Sequence, residues 1–161
     1  MKLLSLSNST LQAIVDDDDF ERCLRRTWTL SSKKKKLSSL QIRCRWREKN
    51  YNLSNFVMKD FKLMFDHKNR NALDNRKENL RPCNHPQNHA NMAKPNIPTS
   101  SRYKGVYWYK PYSCWKAKTK YKQKDIHIGY FDTEKAAARA YDKKAKEIFG
   151  EFAYLNFPED I

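Results

Sequence analysis

Apolar and polar residues alternate in two short runs of the N-terminal third. Leu11, Ala13 and Val15 form the first; Leu40, Ile42, Cys44 and Trp46, set against Gln41, Arg43, Arg45 and Arg47, form the second. A period of two belongs to half-buried strands, so each run predicts one, the second with a basic outer face whose arginines are candidates for phosphate contact. Between them, Asp16 to Asp19 predicts the start of a short helix: Asp18 and Glu21 have the spacing of a capping box, acids suit a helix N-terminus, and Arg22, Arg25 and Arg26 lie near its end. A metal site is the alternative for four aspartates, but no further ligands lie nearby, which favours the helix. Trp28 is expected in a small core, and Lys33 to Lys36, flanked by serines, in an exposed turn. Phe61, Leu63, Met64 and Phe65 predict a strand ending at Asp66-His67; a polar loop, a second strand from Leu80 to Cys83, and a helix with Pro86 as its first residue follow.

After residue 92 the pattern changes. Ala93 to Ser101 holds two prolines and little to bury, and reads as a linker. Tyr103–Tyr109, Cys114–Tyr121 and Ile126–Phe131 are strand-like, with turns at Pro111–Ser113 and Lys122–Asp125. Thr133 is placed to cap a helix on which Ala136, Ala137, Ala140, Tyr141, Ala145 and Ile148 form an apolar stripe, ended by Gly150. Trp108 and Phe131 are expected in the core. The fold class is therefore α+β: an N-terminal lead-in over 1–50, a strand–loop–strand–helix segment over 51–92, the linker over 93–101, and a three-stranded antiparallel sheet on one helix over 102–158.

Charge narrows the partners. The 161 residues carry 33 Lys and Arg against 18 Asp and Glu, a formal +15, which points to nucleic acid or an anionic membrane surface. No apolar run approaches the ~20 residues that span a bilayer, and Met1 to Leu6 is too short and polar for a signal peptide, so a soluble cytoplasmic protein is expected. The four cysteines lack CxxC pairing and are expected reduced. Cys83, His85 and His89 lack a fourth ligand and the spacing of a zinc finger. Between Arg102 and Phe131 eight Lys and Arg face one acid, Asp125, and Lys116, Lys118 and Lys120 share one face of a strand. This ladder, interleaved with aromatics, suits contact with DNA better than a merely solvated face.

The stretch Asp66-His67-Lys68-Asn69, then Leu73-Asp74-Asn75-Arg76, Asn79-Leu80-Arg81 and Gln87-Asn88-His89 resembles the HNH, or ββα-metal, nuclease motif over roughly Asn52 to Met92. The resemblance implies that His67 is the general base that activates water, that Asp66 and Asn88 hold one divalent metal, and that Asn75 and Asn79 stabilise the loop. A neutral imidazole takes a proton near neutral pH, and a hard cation on carboxylate and amide oxygens keeps open positions for water and phosphate. Mg²⁺ or Mn²⁺ is the expected cofactor. Leu53-Ser54-Asn55 stands where many phage-type relatives have Leu-His-Arg.

The second module, through Tyr103-Lys104-Gly105-Val106, Trp115-Lys116-Ala117, Ile128-Gly129-Tyr130-Phe131, Ala137-Ala138-Arg139-Ala140-Tyr141-Asp142 and Leu155-Asn156-Phe157-Pro158, resembles the AP-two/ERF DNA-binding domain. That family lays its exposed sheet face in the major groove, which implies Lys104, Tyr107, Tyr109, Trp115, Lys116, Lys118, Lys120, His127 and Tyr130 as contacts with double-stranded DNA. Tyrosine and lysine replace some of the arginines of the plant members. The two resemblances together imply a phage-type homing endonuclease that cuts near a site its second module binds, as a monomer or homodimer. The alternatives are a DNA-binding regulator that keeps the nuclease fold as scaffold, and an RNA-directed protein, which the closed major groove of RNA disfavours.

Overall fold

The computed structural model describes residues 1–31, 40–95 and 97–160, in two compact units, Met1–His85 and Pro86–Ile161. The chain is α+β, with antiparallel sheets and few helices. Lys33 to Lys36 lie outside the described residues. Among the described residues, no helix is long and apolar enough to cross a membrane.

In the first unit β1 (Lys2–Ser5) pairs antiparallel with β2 (Gln12–Val15), Leu4 opposite Ala13. Ala13 and Val15 are buried and Leu11 lies outside the strand, exposed. Helix α1 (Asp17–Leu24) begins one residue before the expected capping box, which does not form. Asp18 already lies in the first turn, so Asp16 stands at the N-cap, in extended backbone and with no side-chain cap bond. Its carboxylate instead accepts the Lys77 backbone N–H at 2.8 Å, and buried Asp19 pairs with Arg22 and, at 2.7 Å, with Lys77 Nζ. The aspartates tie this helix to a distant loop.

Strands β3 (Thr29–Leu30), β4 (Ile42–Trp46) and β5 (Lys49–Asn52) form an antiparallel sheet in that order. Leu40, Ile42 and Cys44 alternate into the core as expected, but Trp46 leaves it, with the guanidinium groups of Arg26 and Arg47 at 4.7 and 4.8 Å from its ring centre. Trp28 is fully buried and donates Nε1–H to the Cys23 carbonyl at 2.9 Å. Helix α2 (Leu53–Met58) presents Leu53 and Val57 to the same core, and Arg22 donates to its last carbonyls, Phe56 at 2.6 Å and Val57 at 3.2 Å. One core runs from Leu4 to Leu80 without a break at residue 50.

The next strand, β6 (Met64–His67), starts later than expected and leaves Phe61 and Leu63 exposed. The cause is local: Asp60 Oδ1 accepts the N–H groups of Lys62 and Leu63 at 2.8 and 3.1 Å, holding them in a turn. Strand β7 (Leu80–Cys83) pairs antiparallel with β6, Asp66 opposite Arg81 and His67 opposite Leu80. Helix α3 (His85–Asn91) starts one residue before Pro86, and from Pro86 on it belongs to the second unit.

The second unit is built on β8 (Val106–Tyr109), β9 (Cys114–Tyr121) and β10 (Lys124–Phe131), antiparallel in the order β10-β9-β8, and on α4 (Glu134–Phe149). Lys122 and Gln123, both at positive φ, make a two-residue turn, so β10 starts at Lys124, two residues earlier than expected. Thr133 Oγ1 caps α4 by accepting from the Ala136 N–H at 3.2 Å. The buried face of the helix is Ala137, Ala138, Tyr141 and Ala145; Ala136 is exposed, and Ala140 and Ile148 lie at the margin. The small residues let the helix lie close, and Tyr141 fills the space under Gly105, whose φ is +77°. Trp108, expected in the core, is 37% exposed at the sheet margin, its ring packed edge-on against Trp115 at 5.2 Å; Phe131 packs on the core. Asp142 latches the C-terminal segment by accepting from Asn156 N, Asn156 Nδ2 and Phe157 N at 2.8–2.9 Å, and Asn156 Oδ1 in turn accepts from the Lys104 N–H at 2.7 Å.

Candidate nucleic-acid interface and polar hairpin loop

The loop between β6 and β7 is held by its own asparagines. Asn79 Oδ1 accepts from the Asn69 N–H at 3.0 Å, while Asn79 Nδ2 donates to Asn69 Oδ1 at 3.0 Å and to the Asp74 carbonyl at 2.7 Å. Asp74 takes both Nε and an Nη of Arg76 at 2.8 Å, bonds that hold its carboxyl below the usual range despite burial. Strand β2 clamps the loop from outside: Ile14 N–H donates to the Leu73 carbonyl at 2.7 Å, and Asn75 N–H to the Ile14 carbonyl at 2.8 Å.

His67, half-buried at the end of β6, lies over this loop with Nε2 3.2 Å from Asn75 Oδ1. Asn75 is buried and its Nδ2 donates to the Ala72 carbonyl at 3.0 Å, which fixes the amide with its oxygen toward the imidazole. An oxygen acceptor there selects the tautomer with the proton on Nε2, so Nδ1 carries the basic lone pair. Burial lowers the His67 pKa from its ordinary value, against the opposing pulls of Asn75, Asp66 and Asp74. The imidazole is therefore neutral at neutral pH, as a general base requires.

Asp66 points to the other side of the strand, buried, where its Oδ2 accepts from Arg81 Nε and an Nη at 3.0 and 2.8 Å. A hard divalent cation takes oxygen donors, and the Asp66 carboxylate and the Asn88 amide are of that kind; on Asp66 it would share the carboxylate with a guanidinium. Among the described residues, no three His, Cys, Asp or Glu side chains form a group fit to hold a metal. Asn88 is half-buried on α3, in the second unit.

The second unit carries a different surface. Pairing puts Tyr107 and Tyr130 on either side of Lys116, and His127 beside Lys118. Alternation then gives one outer face to Tyr107, Tyr109, Lys116, Lys118, Lys120, Asp125, His127 and Tyr130, while Ala117 and Thr119 turn to the core. Two residues expected on this face lie elsewhere. Trp115 alternates with Lys116 and packs against the core beside Ala117. Lys104 precedes β8, and its ammonium donates to the Ala90 and Met92 carbonyls at 2.6 and 2.7 Å, at the end of α3. Two features escape sequence reasoning. Lys118 is paired with Asp125 at 2.9 Å, and Tyr112, on the turn after β8, joins Tyr109 and Tyr130 in a surface cluster. A third tyrosine in a turn four residues before Lys116 was the available signal.

No family model and no solved structure matches the chain. Its relatives include an AP2-like ethylene-responsive transcription factor of Arabidopsis thaliana, 39% identical over 59 residues, which are 37% of this chain and 13% of the relative. A second protein of that description from the same plant is 41% identical over 58 residues, 36% of this chain and 12% of the relative. An APETALA2-like protein of Oryza sativa subsp. japonica is 41% identical over 58 residues, 36% of this chain and 13% of the relative. The chain thus spans about an eighth of the length of these curated relatives, and over about 37% of its own length it is a homologue of AP2-like transcription factors.

Proposed function

We propose that this protein binds double-stranded DNA through the outer face of the β8–β9–β10 sheet and acts as a regulator at the sites it occupies. The observation that carries this reading is a basic, aromatic face: three lysines and three tyrosines point outward from adjacent strands, with Asp125 the one acid among them, in a chain whose relatives are transcription factors. A three-stranded sheet fits the duplex major groove, where base edges are distinguishable, and lysines beside it neutralise phosphates. The test is selection of duplexes from a random pool, followed by anisotropy titration of the selected duplex against a scrambled one. Equal affinity for both would sink site-directed binding.

A second reading is favoured by the loop of the first unit: a neutral, half-buried imidazole with its tautomer set by Asn75. On that reading the protein is an HNH endonuclease brought to its site by the sheet, as in homing endonucleases of phages. His67 takes a proton from water, which attacks the phosphodiester. Asp66 and Asn88 would be the residues to hold Mg²⁺ or Mn²⁺, which would supply charge stabilisation at the leaving oxygen. One such centre per chain nicks one strand, and a double cut requires a dimer or two events. Supercoiled plasmid carrying the selected site, with Mg²⁺ or Mn²⁺ against EDTA, separates the readings. Metal-dependent open circle that is lost in His67→Ala supports the nuclease; binding without any cleavage leaves the regulator.

A further inference from the structure

The outer sheet face ends in an aromatic cluster to which the duplex-binding reading assigns no particular contact. Tyr109 on β8, Tyr112 on the turn after it and Tyr130 on β10 stand with ring centroids 5.2–5.4 Å apart, and His127 lies 4.7 Å from Tyr130. Tyr112 is 66% and Tyr130 42% exposed, so the cluster is not part of a core. Lys116, on the strand between, holds its ammonium 4.9 Å from the Tyr109 ring and 5.3 Å from the Tyr130 ring.

The ring angles decide what such a cluster offers. Tyr112 meets Tyr109 at 86° and Tyr130 at 62°, edge to face, so the rings brace one another. An unpaired base stacks on an open ring face, and in an edge-to-face cluster neighbouring edges already cover some of those faces. What the cluster presents outward is apolar, braced aromatic surface bordering a lysine. In the major groove the one apolar group on the base edges of ordinary DNA is the C5-methyl of thymine, while lysine suits the guanine O6 and N7 acceptors.

We propose that the Tyr109–Tyr112–Tyr130 cluster reads the C5-methyl of a pyrimidine, thymine in its natural site, next to the step that Lys116 contacts. The proposal rests on the duplex-binding reading. The test uses the full chain and the duplex selected from a random pool, with each thymine replaced in turn by deoxyuracil. At one or two positions the loss of the methyl weakens binding about four-fold, the effect of withdrawing one buried carbon. Tyr112→Ala, at an exposed position, removes that sensitivity, and Tyr112→Phe keeps it because the ring rather than the hydroxyl makes the contact. Indifference of the wild-type protein to deoxyuracil at every position overturns the proposal while leaving duplex binding intact, and so does a sensitivity that Tyr112→Ala and Tyr130→Ala leave unchanged. Tighter binding only on 5-methylation of a cytosine overturns thymine as the source of the methyl. Failure to select any duplex overturns the underlying reading as well.

Discussion

At the scale of single residues, His67 and Asn75 form a unit whose consequences are separable. Asn75 is buried and satisfied on both ends of its amide, by Ala72 and by the imidazole. Asn75→Ala removes both bonds and is expected to destabilise the protein by about 1–3 kcal/mol, measured by urea unfolding. If the loop is a nuclease site, nicking falls more steeply than folded protein does, because the imidazole loses its tautomer. His67 also carries a pH signature. Its folded pKa lies below its unfolded value, so the unfolded chain binds a proton first as pH falls. The stability it confers is complete above about 6.5, the ordinary histidine value, and is lost as pH drops through the folded pKa. Urea unfolding from pH 7.5 to pH 5 is expected to show that slope in the wild type, and a His67→Gln protein is expected to lack this contribution.

Elements bring in packing that one residue does not reveal. A Cβ added at Gly105 would stand 2.0 Å from the Tyr141 ring and 2.8 Å from the Lys118 carbonyl, at a φ of +77°. Gly105→Ala is therefore expected to cost about 3 kcal/mol or more, the upper end of overpacking, and to melt the β8–β10 sheet well below the wild type by circular dichroism. What the sequence made legible follows from the same distinction. The strands at Cys114–Tyr121 and Leu80–Cys83 and the Thr133 cap were readable because local periodicity and one side-chain bond define them. The misread features depend on distant partners. Asp18 and Glu21 form no capping box, because Asp16 takes the N-cap position and turns its carboxylate to the Lys77 N–H, 61 positions along the chain. Lys104 looked like a groove contact, and Trp115 likewise; the first is drawn to the carbonyls of α3 and the second into the core. The asparagine loop was recognised from spacing, but the clamp from Ile14 that holds it was invisible until β2 was placed.

For the molecule as a whole, charge of one sign is the property that selects a partner, and it is modulated at one point. The sheet face presents Lys116, Lys118 and Lys120, yet Lys118 is held by Asp125, the sole acid between Arg102 and Phe131. That pair is exposed, so it adds little to folding, but it withholds one ammonium from the phosphates and sets a negative charge against them. Asp125→Asn releases Lys118 and removes the repulsion. Its affinity for the selected duplex is expected to rise, and the slope of log K against log salt to steepen by up to about 0.9, the increment for one further phosphate contact. Lys120→Gln, on the same face, is expected to flatten the slope by a similar amount. Anisotropy titrations from 50 to 300 mM KCl measure both. Opposite signs from two changes on one strand pair would place the phosphate backbone over this face; equal slopes in all three proteins would move the DNA contact off the sheet, to the arginines of the β4–β5 hairpin.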